Sequence, residues 1–327
     1  MPDGPSIETV RALSDRLDGQ IVRTPVLRCA GLEQFLGADR RIYGKLEFLQ
    51  HTGTFKVRGA LATITSLTAA QREAGVTAVS AGNHALATAY AAQAVGTSAK
   101  IVMISTANPA RVDACRAYGA ELVFTNDIHE AFEIVEAIQR EEKRVLVHPF
   151  EGPDIATGTG TLGLEICEQI GDFDVVIVPV GGGGLIAGVA NAIKHLRPDV
   201  EVIGVEPTGA DSMYRSLAAG EPRSLDTVDT IADSLGAPFA APYSFSLCRR
   251  NVDRIVLVDD LQLQKTMGLL FRIMKIAVEP ACAASTAALI GPLREDLKGK
   301  AVALVFCGSN IDWATFAGHV IFEDETC

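Results

Sequence analysis

Short apolar and β-branched runs alternate with longer stretches of helical spacing along most of the chain. Ahead of that alternation, Ile7, Val10, Leu13 and Leu17 recur at helical intervals behind Ser6, which predicts an amphipathic helix capped by the serine. Residues 42–49 read as a strand and 59–64 as a helix. Strand and helix then take turns at 76–80 and 82–95, 100–104 and 109–118, 121–125 and 127–141, and 144–148 and 157–170. The second half continues with strands at 174–180, 200–205, 254–258 and 300–306 and helices at 185–196 and 261–276. This order predicts an α/β protein of parallel sheets covered by helices on both faces, with ligands beyond the carboxyl ends of the strands. Between residues 206 and 254 the periodicity fades into Pro-, Gly- and Ser-containing loops.

A chain of 327 residues implies one large domain or two intimate ones. With 48% hydrophobic and 21% charged residues it has the balance of a soluble globular protein, and no apolar run is long enough to span a membrane. Met1 to Glu8 lacks the basic-then-apolar order of a secretory signal. The net charge of −11 argues against a nucleic-acid partner, which would call for a basic footprint. Cys29, Cys115, Cys167, Cys248, Cys282, Cys307 and Cys327 are scattered, odd in number and without CxxC spacing. That usage fits a reducing cytoplasm, with neither a disulfide framework nor a zinc site.

The stretch Thr54-Phe55-Lys56-Val57-Arg58-Gly59-Ala60 places Lys56 between a strand and a helix N-terminus. The helix dipole and Arg58 both disfavour an ammonium ion there, which predicts a lowered pKa and an amine nucleophilic toward carbonyl compounds. Taken alone, a solvated surface lysine is the better reading, but other loops shift the balance. Pro179-Val180-Gly181-Gly182-Gly183-Gly184-Leu185 runs from an apolar strand into a helix, leaving consecutive backbone amides unshielded for a phosphate. A plain tight turn needs fewer glycines. Ser80-Ala81-Gly82-Asn83-His84-Ala85 could hold an anion or a phenolate-like oxygen, or could be an ordinary helix cap with incidental polar residues.

Gly158-Thr159-Gly160-Thr161-Leu162-Gly163 spells GxGxxG without a preceding strand or a following acidic strand end. It therefore reads as a helix packed close to the sheet and not as a dinucleotide site. Cys307, in Phe306-Cys307-Gly308-Ser309-Asn310, ends the last strand as a neutral thiol that could face a ligand, or as an ordinary buried cysteine. A reactive lysine and a phosphate cup without a nucleotide signature point to pyridoxal 5′-phosphate (PLP).

Together, and in this order, the segments resemble the fold type II PLP enzymes of the threonine/serine dehydratase and serine racemase group over nearly the whole chain. The resemblance implies a tryptophan synthase β-like α/β fold of two domains, residues 1–52 with 146–327 as the larger, PLP-binding one and 53–145 as a smaller mobile one inserted in it. It makes Lys56 the Schiff-base and catalytic lysine, Phe55 a residue packing on the cofactor, and Asn83 the partner of the cofactor's 3′-oxygen. It further implies Gly181, Gly182, Gly183, Gly184 and Leu185 as the phosphate cup and Cys307 as the partner of the pyridine nitrogen. Ser80, Asn83, His84 and Ala85 would hold the substrate carboxylate. Thr54 replaces the family's usual serine. Ala81 stands where racemases of the family carry a second serine, which favours dehydration over racemisation.

The family's cation site maps to Glu206 and the Ala210 carbonyl, with Ser212 where some members have aspartate, so a monovalent or divalent cation is a further expectation. The implied reaction is dehydration and deamination of a β-hydroxy amino acid such as L-threonine or L-serine to a 2-oxo acid and ammonia. A homodimer or higher homo-oligomer in the cytoplasm, and no regulatory domain after the Cys307 turn, go with it. Alternatives are a serine racemase-type or β-replacement enzyme and, from the stretches 231–239 and 278–282, a dehydratase of a larger hydroxy amino acid, since these are similar to hydroxyectoine-utilisation dehydratases. Outside the family, a nucleotide-linked oxidoreductase would use Gly158 to Gly160, and a PLP-free binding protein would be colourless.

Overall fold

The computed structural model describes residues 3–37 and 39–322; Met1, Pro2 and Cys327 lie outside them. The chain enters through α1 (Ile7–Arg16), β1 (Val26–Arg28), α2 (Ala30–Leu36) and β2 (Arg41–Leu46). It continues with α3 (Lys56–Thr65), α4 (Ala69–Ala74), β3 (Val76–Val79), α5 (Asn83–Val95), β4 (Ala99–Ile104), α6 (Pro109–Ala117), β5 (Glu121–Thr125), α7 (Ile128–Glu142) and β6 (Val145–Leu146). Then come α8 (Pro153–Gln169), β7 (Val175–Pro179), α9 (Gly184–Leu196), β8 (Glu201–Pro207), α10 (Ser212–Ala219) and α11 (Pro242–Asn251). The final elements are β9 (Arg254–Val258), α12 (Asp260–Met274), α13 (Pro280–Ile290), β10 (Ala301–Phe306) and α14 (Trp313–His319). Among the described residues no helix is long and apolar enough to cross a membrane.

The strands form a six-stranded sheet in the order β1-β2-β10-β7-β8-β9 and a four-stranded sheet in the order β5-β4-β3-β6. Every residue of β7 and β10 is buried, because helices cover both faces of the larger sheet. That is why these strands read as unbroken apolar runs. The expected parallel pairing holds through both sheets except at β1, which runs antiparallel to β2 and is too short to show a period. Helices α10 and α11 fill part of the 206–254 region that looks irregular in sequence. Helix α13 is rich in small residues and buried on all sides from Pro280 to Leu289, so it carries no amphipathic signature.

The GxGxxG stretch lies inside α8, but its close packing is against neighbouring helices and not, as its sequence suggests, against the sheet. A Cβ on Gly158 would come within 2.5 Å of the Arg58 carbonyl oxygen in α3, and one on Gly163 within 2.7 Å of the Val189 carbonyl oxygen in α9. With Gly188 equally bare, the Thr159 hydroxyl reaches across to the Gly184 carbonyl at 2.8 Å. These glycines thus bring α3 and the start of α9 onto one helix.

A buried ionic cluster fixes the same junction. The Arg58 guanidinium donates to both carboxylate oxygens of Glu47, at 2.7 and 2.9 Å, and to both of Glu165, also at 2.7 and 2.9 Å. Lys45 donates to Glu165, to the Thr24 carbonyl at 2.7 Å and to Gln169 at 2.8 Å. All four charged side chains are essentially without solvent contact. Burial works against the Arg58 charge, yet Glu47 and Glu165 outweigh it and raise its pKa. Burial likewise pushes Glu165 up, and Arg58 and Lys45 bring it below the usual carboxylate range.

Removing one partner of such a cluster strands the others without solvent. Arg58→Met is expected to destabilise the fold by about 3–5 kcal/mol, read from urea unfolding. Arg58→Lys, which lacks the planar fork, should recover only part of that loss.

Candidate active site

Four strand ends of the two sheets open toward one place. The carboxyl end of β2 leads through two short 3-10 turns, at Glu47–Leu49 and His51–Gly53, into α3. The end of β10 meets that turn from the other side: Phe55 N donates to the Cys307 carbonyl at 3.1 Å and Ser309 N to the Gly53 carbonyl at 3.1 Å. Lys56 is therefore the first residue of α3, at its N-terminus as expected. Its amine donates to the Pro149 carbonyl at 2.6 Å and lies 5.3 Å from the centre of the Phe55 ring.

The Lys56 pKa is lowered to about 8, as the sequence suggests, but for a different reason. Burial is the cause, opposed by Cys307 and Glu279. Arg58 is turned away into its carboxylate cluster and does not set the shift. The structure corrects the sequence reading on this point.

The β7 end delivers Gly181, Gly182, Gly183 and Gly184 to the N-terminus of α9, which has no side-chain cap. Gly183 has φ +87°, a conformation that disfavours side chains, and a Cβ on Gly182 would lie 2.3 Å from Phe150 Cγ, in collision with the ring. One on Gly181 would meet the Leu235 backbone at 3.0 Å, and one on Gly184 the Phe150 backbone at 2.6 Å. Leu185 follows, buried, in the first turn. The loop is thus a cradle of bare amides at a helix N-terminus, the chemistry that holds a phosphate.

The β3 end leads into Ser80, whose hydroxyl accepts from Gly82 N at 3.1 Å, and then into α5, again without a side-chain cap. Asn83 and Ala85 are buried at its start. His84 shares a 2.7 Å hydrogen bond with the Val147 carbonyl through Nε2, so that nitrogen carries the proton. Burial, with Lys56 adding to it, lowers its pKa to about 3. His148 accepts from Phe150 N at 3.2 Å and Glu151 N at 3.0 Å through Nδ1, and burial lowers its pKa to about 4. Both rings are neutral at physiological pH and neither is placed as a general base.

Cys307 is buried, and a hydrogen bond with the Cys282 thiol followed by burial raises its pKa well above the ordinary thiol value. It is a neutral thiol. The six described cysteines are free and buried. Away from this cavity, Glu206 at the end of β8 accepts from Met213 N at 2.9 Å and Tyr214 N at 2.7 Å, so it caps α10. Burial pushes its pKa up to about 8. Ala210 lies in the same turn, and the Ser212 hydroxyl there is buried without a partner. Among the described residues no group of three or more His, Cys, Asp or Glu side chains is arranged to hold a metal ion.

Lys56, Phe55, Asn83, the glycine loop, Leu185 and Cys307 line one cavity. Phe150, Ser234, Leu235 and Glu279 line it as well, and the sequence does not single them out for it. Glu279 has a faint signal: an acid directly before Pro280 and a run of small apolar residues marks the start of a buried helix. These residues fit PLP. A primary amine, a phosphate cradle that any Cβ would fill and a neutral thiol share one space.

The model of the family described as pyridoxal-phosphate dependent enzyme matches residues 17–308. The chain is 51% identical to phenylserine dehydratase of Ralstonia pickettii, over 97% of this chain and 96% of that one. It is 39% identical to L-threonine ammonia-lyase of Thermotoga maritima, over 94% and 76%. The structure of maize serine racemase superposes with a TM-score of 0.91 at 33% identity and covers 97% of each chain.

The lowered Lys56 pKa sets a pH dependence. An amine with a pKa near 8 is protonated below that value and free above it. Borohydride trapping of PLP on Lys56, followed by peptide mass spectrometry, is expected to rise with a midpoint near pH 8 and not near that of an ordinary lysine, roughly 10.4.

Proposed function

The chain belongs to the pyridoxal-phosphate dependent enzyme family, and we propose that within it the preferred substrate is 3-phenylserine. It is a PLP-dependent lyase that acts by β-elimination on β-hydroxy amino acids. The single observation that carries the substrate reading is the 51% identity to phenylserine dehydratase over almost the full length of both chains. The Phe55 and Phe150 rings in the cavity lining agree with it. The Phe150 ring stands edge-on to His148 at 4.7 Å and to Phe239 at 5.6 Å, a setting in which a phenyl substituent gains edge-to-face contacts.

When bound, PLP supplies an aldehyde that captures amines and a conjugated ring that draws electrons from Cα. In this reading Lys56 would be the amine that holds the cofactor through its aldehyde and, when free, the base placed to take the Cα proton of the substrate. Breaking the Cα–H and Cβ–O bonds forms a carbon–carbon double bond and releases water. The enamine product hydrolyses to a 2-oxo acid and ammonia. Gly181 to Gly184 and the α9 amides would hold the phosphate, Phe55 would pack on the ring, and Asn83 would donate to the 3′-oxygen. Ser80, Asn83, His84 and Ala85 present the uncapped start of α5 to the substrate carboxylate.

Cys307 is too weak an acid to pass its proton to a ring nitrogen, which favours elimination over chemistry through a long-lived carbanion. Ala81 carries no acid or base, which further favours the lyase over a racemase. We take residues 53–145 as a smaller lobe that closes on the larger one formed by 1–52 and 146–327. Hydrogen bonds from Arg111 to Asp233 at 3.0 Å and to the Asn310 carbonyl at 2.8 Å, and from Asn108 to Asp312 at 3.0 Å, support that closure. A homo-oligomer is part of the proposal, with Phe271, Trp313 and Phe322 exposed as an aromatic group it could use.

With PLP present, the protein is expected to release ammonia and phenylpyruvate from 3-phenylserine at a kcat/KM at least about tenfold above L-threonine, a difference of roughly 1.4 kcal/mol. Lys56→Ala should abolish both reactions. A preference for L-threonine or L-serine would move the assignment to short hydroxy amino acids, and no ammonia from any of them would refute the lyase.

A further inference from the structure

Glu279 is a carboxylate with almost no solvent contact, and no ion pair reaches it among the described residues. Its main hydrogen-bond donor is Asn83, whose Nδ2 lies 3.0 and 3.1 Å from its two oxygens, with the Ser234 hydroxyl as a lesser partner. The other edge of the same amide is held as well. Asn310 donates through Nδ2 to Asn83 Oδ1 at 2.8 Å and is itself pinned by a bond to the Thr52 carbonyl at 2.7 Å. The environment therefore leaves the Asn83 amide one orientation. Turned over, it would set its oxygen against the Glu279 carboxylate and its amino group against that of Asn310, acceptor on acceptor and donor on donor.

The second Nδ2 hydrogen points to the Ser234 hydroxyl at 3.1 Å, a weaker hold, because Ser234 also donates to Asp233 at 3.2 Å. Thr54 adds a second sign that this corner is set up for a ligand. Its hydroxyl is buried without a partner, and it faces Glu279 across the bare α-carbon of Gly308, where a Cβ would lie 2.8 Å from Glu279 Oε1 and 3.3 Å from Thr54 Oγ1.

We infer that Glu279, with Asn310, is a positioning residue that locks the Asn83 amide with its N–H edge on the Glu279–Ser234 side of the cavity that Lys56 and Cys307 also line, so that an acceptor oxygen bound there takes the hydrogen that now points to Ser234. This rests on the reading that Asn83 serves the 3′-oxygen of PLP. Glu279 touches neither substrate nor cofactor in this role. It removes the half of the amide's rotational freedom in which the carbonyl would face, and repel, that oxygen.

The test is a double-mutant cycle on cofactor affinity, measured by titrating apoprotein with PLP and with 3-deoxy-PLP, which lacks the oxygen. Glu279→Ala is expected to weaken PLP binding about tenfold, to have no further effect in an Asn83→Ala background and to leave 3-deoxy-PLP affinity unchanged. Glu279→Gln, which keeps an acceptor oxygen, should recover most of the loss. Circular dichroism of each apoprotein shows whether it folds; should Glu279→Ala not fold, Asn310→Ala at the other edge of the amide carries the same expectation. A loss that persists in full in the Asn83→Ala background, or that is equal for 3-deoxy-PLP, overturns the positioning role while leaving the lyase assignment intact. Wild-type protein that fails to bind PLP overturns both.

Discussion

The Arg58 guanidinium, forked onto Glu47 and Glu165, is the contact from which the rest of the site takes its coordinates. It ties the start of α3 to the turn after β2 and to the C-terminal part of α8. Because it is fully desolvated and bidentate on both sides, it tolerates little displacement. Lys56 lies two residues upstream on the same helical turn and inherits that rigidity. The bare glycines of α8 act in the same direction, since they bring α3 and α9 against one helix and so fix the lysine and the phosphate cradle relative to each other.

Around this frame the cavity keeps few charges. Lys56 and Glu279 are its titratable groups near neutrality, while His84, His148 and Cys307 are held uncharged by burial and, for the thiol, by Cys282. A single nucleophilic amine among neutral donors suits chemistry in which a cofactor, and not the protein, manages the electrons. The closing contacts of the proposed smaller lobe lie at the rim, where Arg111 and Asn108 reach Asp233, Asn310 and Asp312.

Much of this is legible in sequence where function sits in a short turn after an apolar strand. Lys56, the glycine loop, Asn83 and Cys307 all occupy such turns, and their neighbours along the chain announce them. Phe150, Ser234 and Glu279 reach the cavity from a loop, a short 3-10 turn and a helix start, and only tertiary packing brings them in. The ionic cluster is hidden for the same reason, since Lys45 and Arg58 find Glu165 more than a hundred residues away. Helix α13 escapes a periodicity reading because every face is buried, and the Lys56 shift has the expected direction but owes it to desolvation, which no local pattern records.

The buried state of the six described thiols has a practical side. A reagent that alkylates cysteine meets none of them at the surface, so their modification reports openings of the structure and not its resting form. The thiols lie in different parts of the fold: Cys115 packs within the core of the smaller sheet, Cys167 and Cys248 within that of the larger, and Cys307 at the cavity itself. Labelling followed residue by residue therefore yields a map of which region breathes first, and shielding of Cys307 alone on adding a small molecule would mark occupancy of the cavity without any turnover.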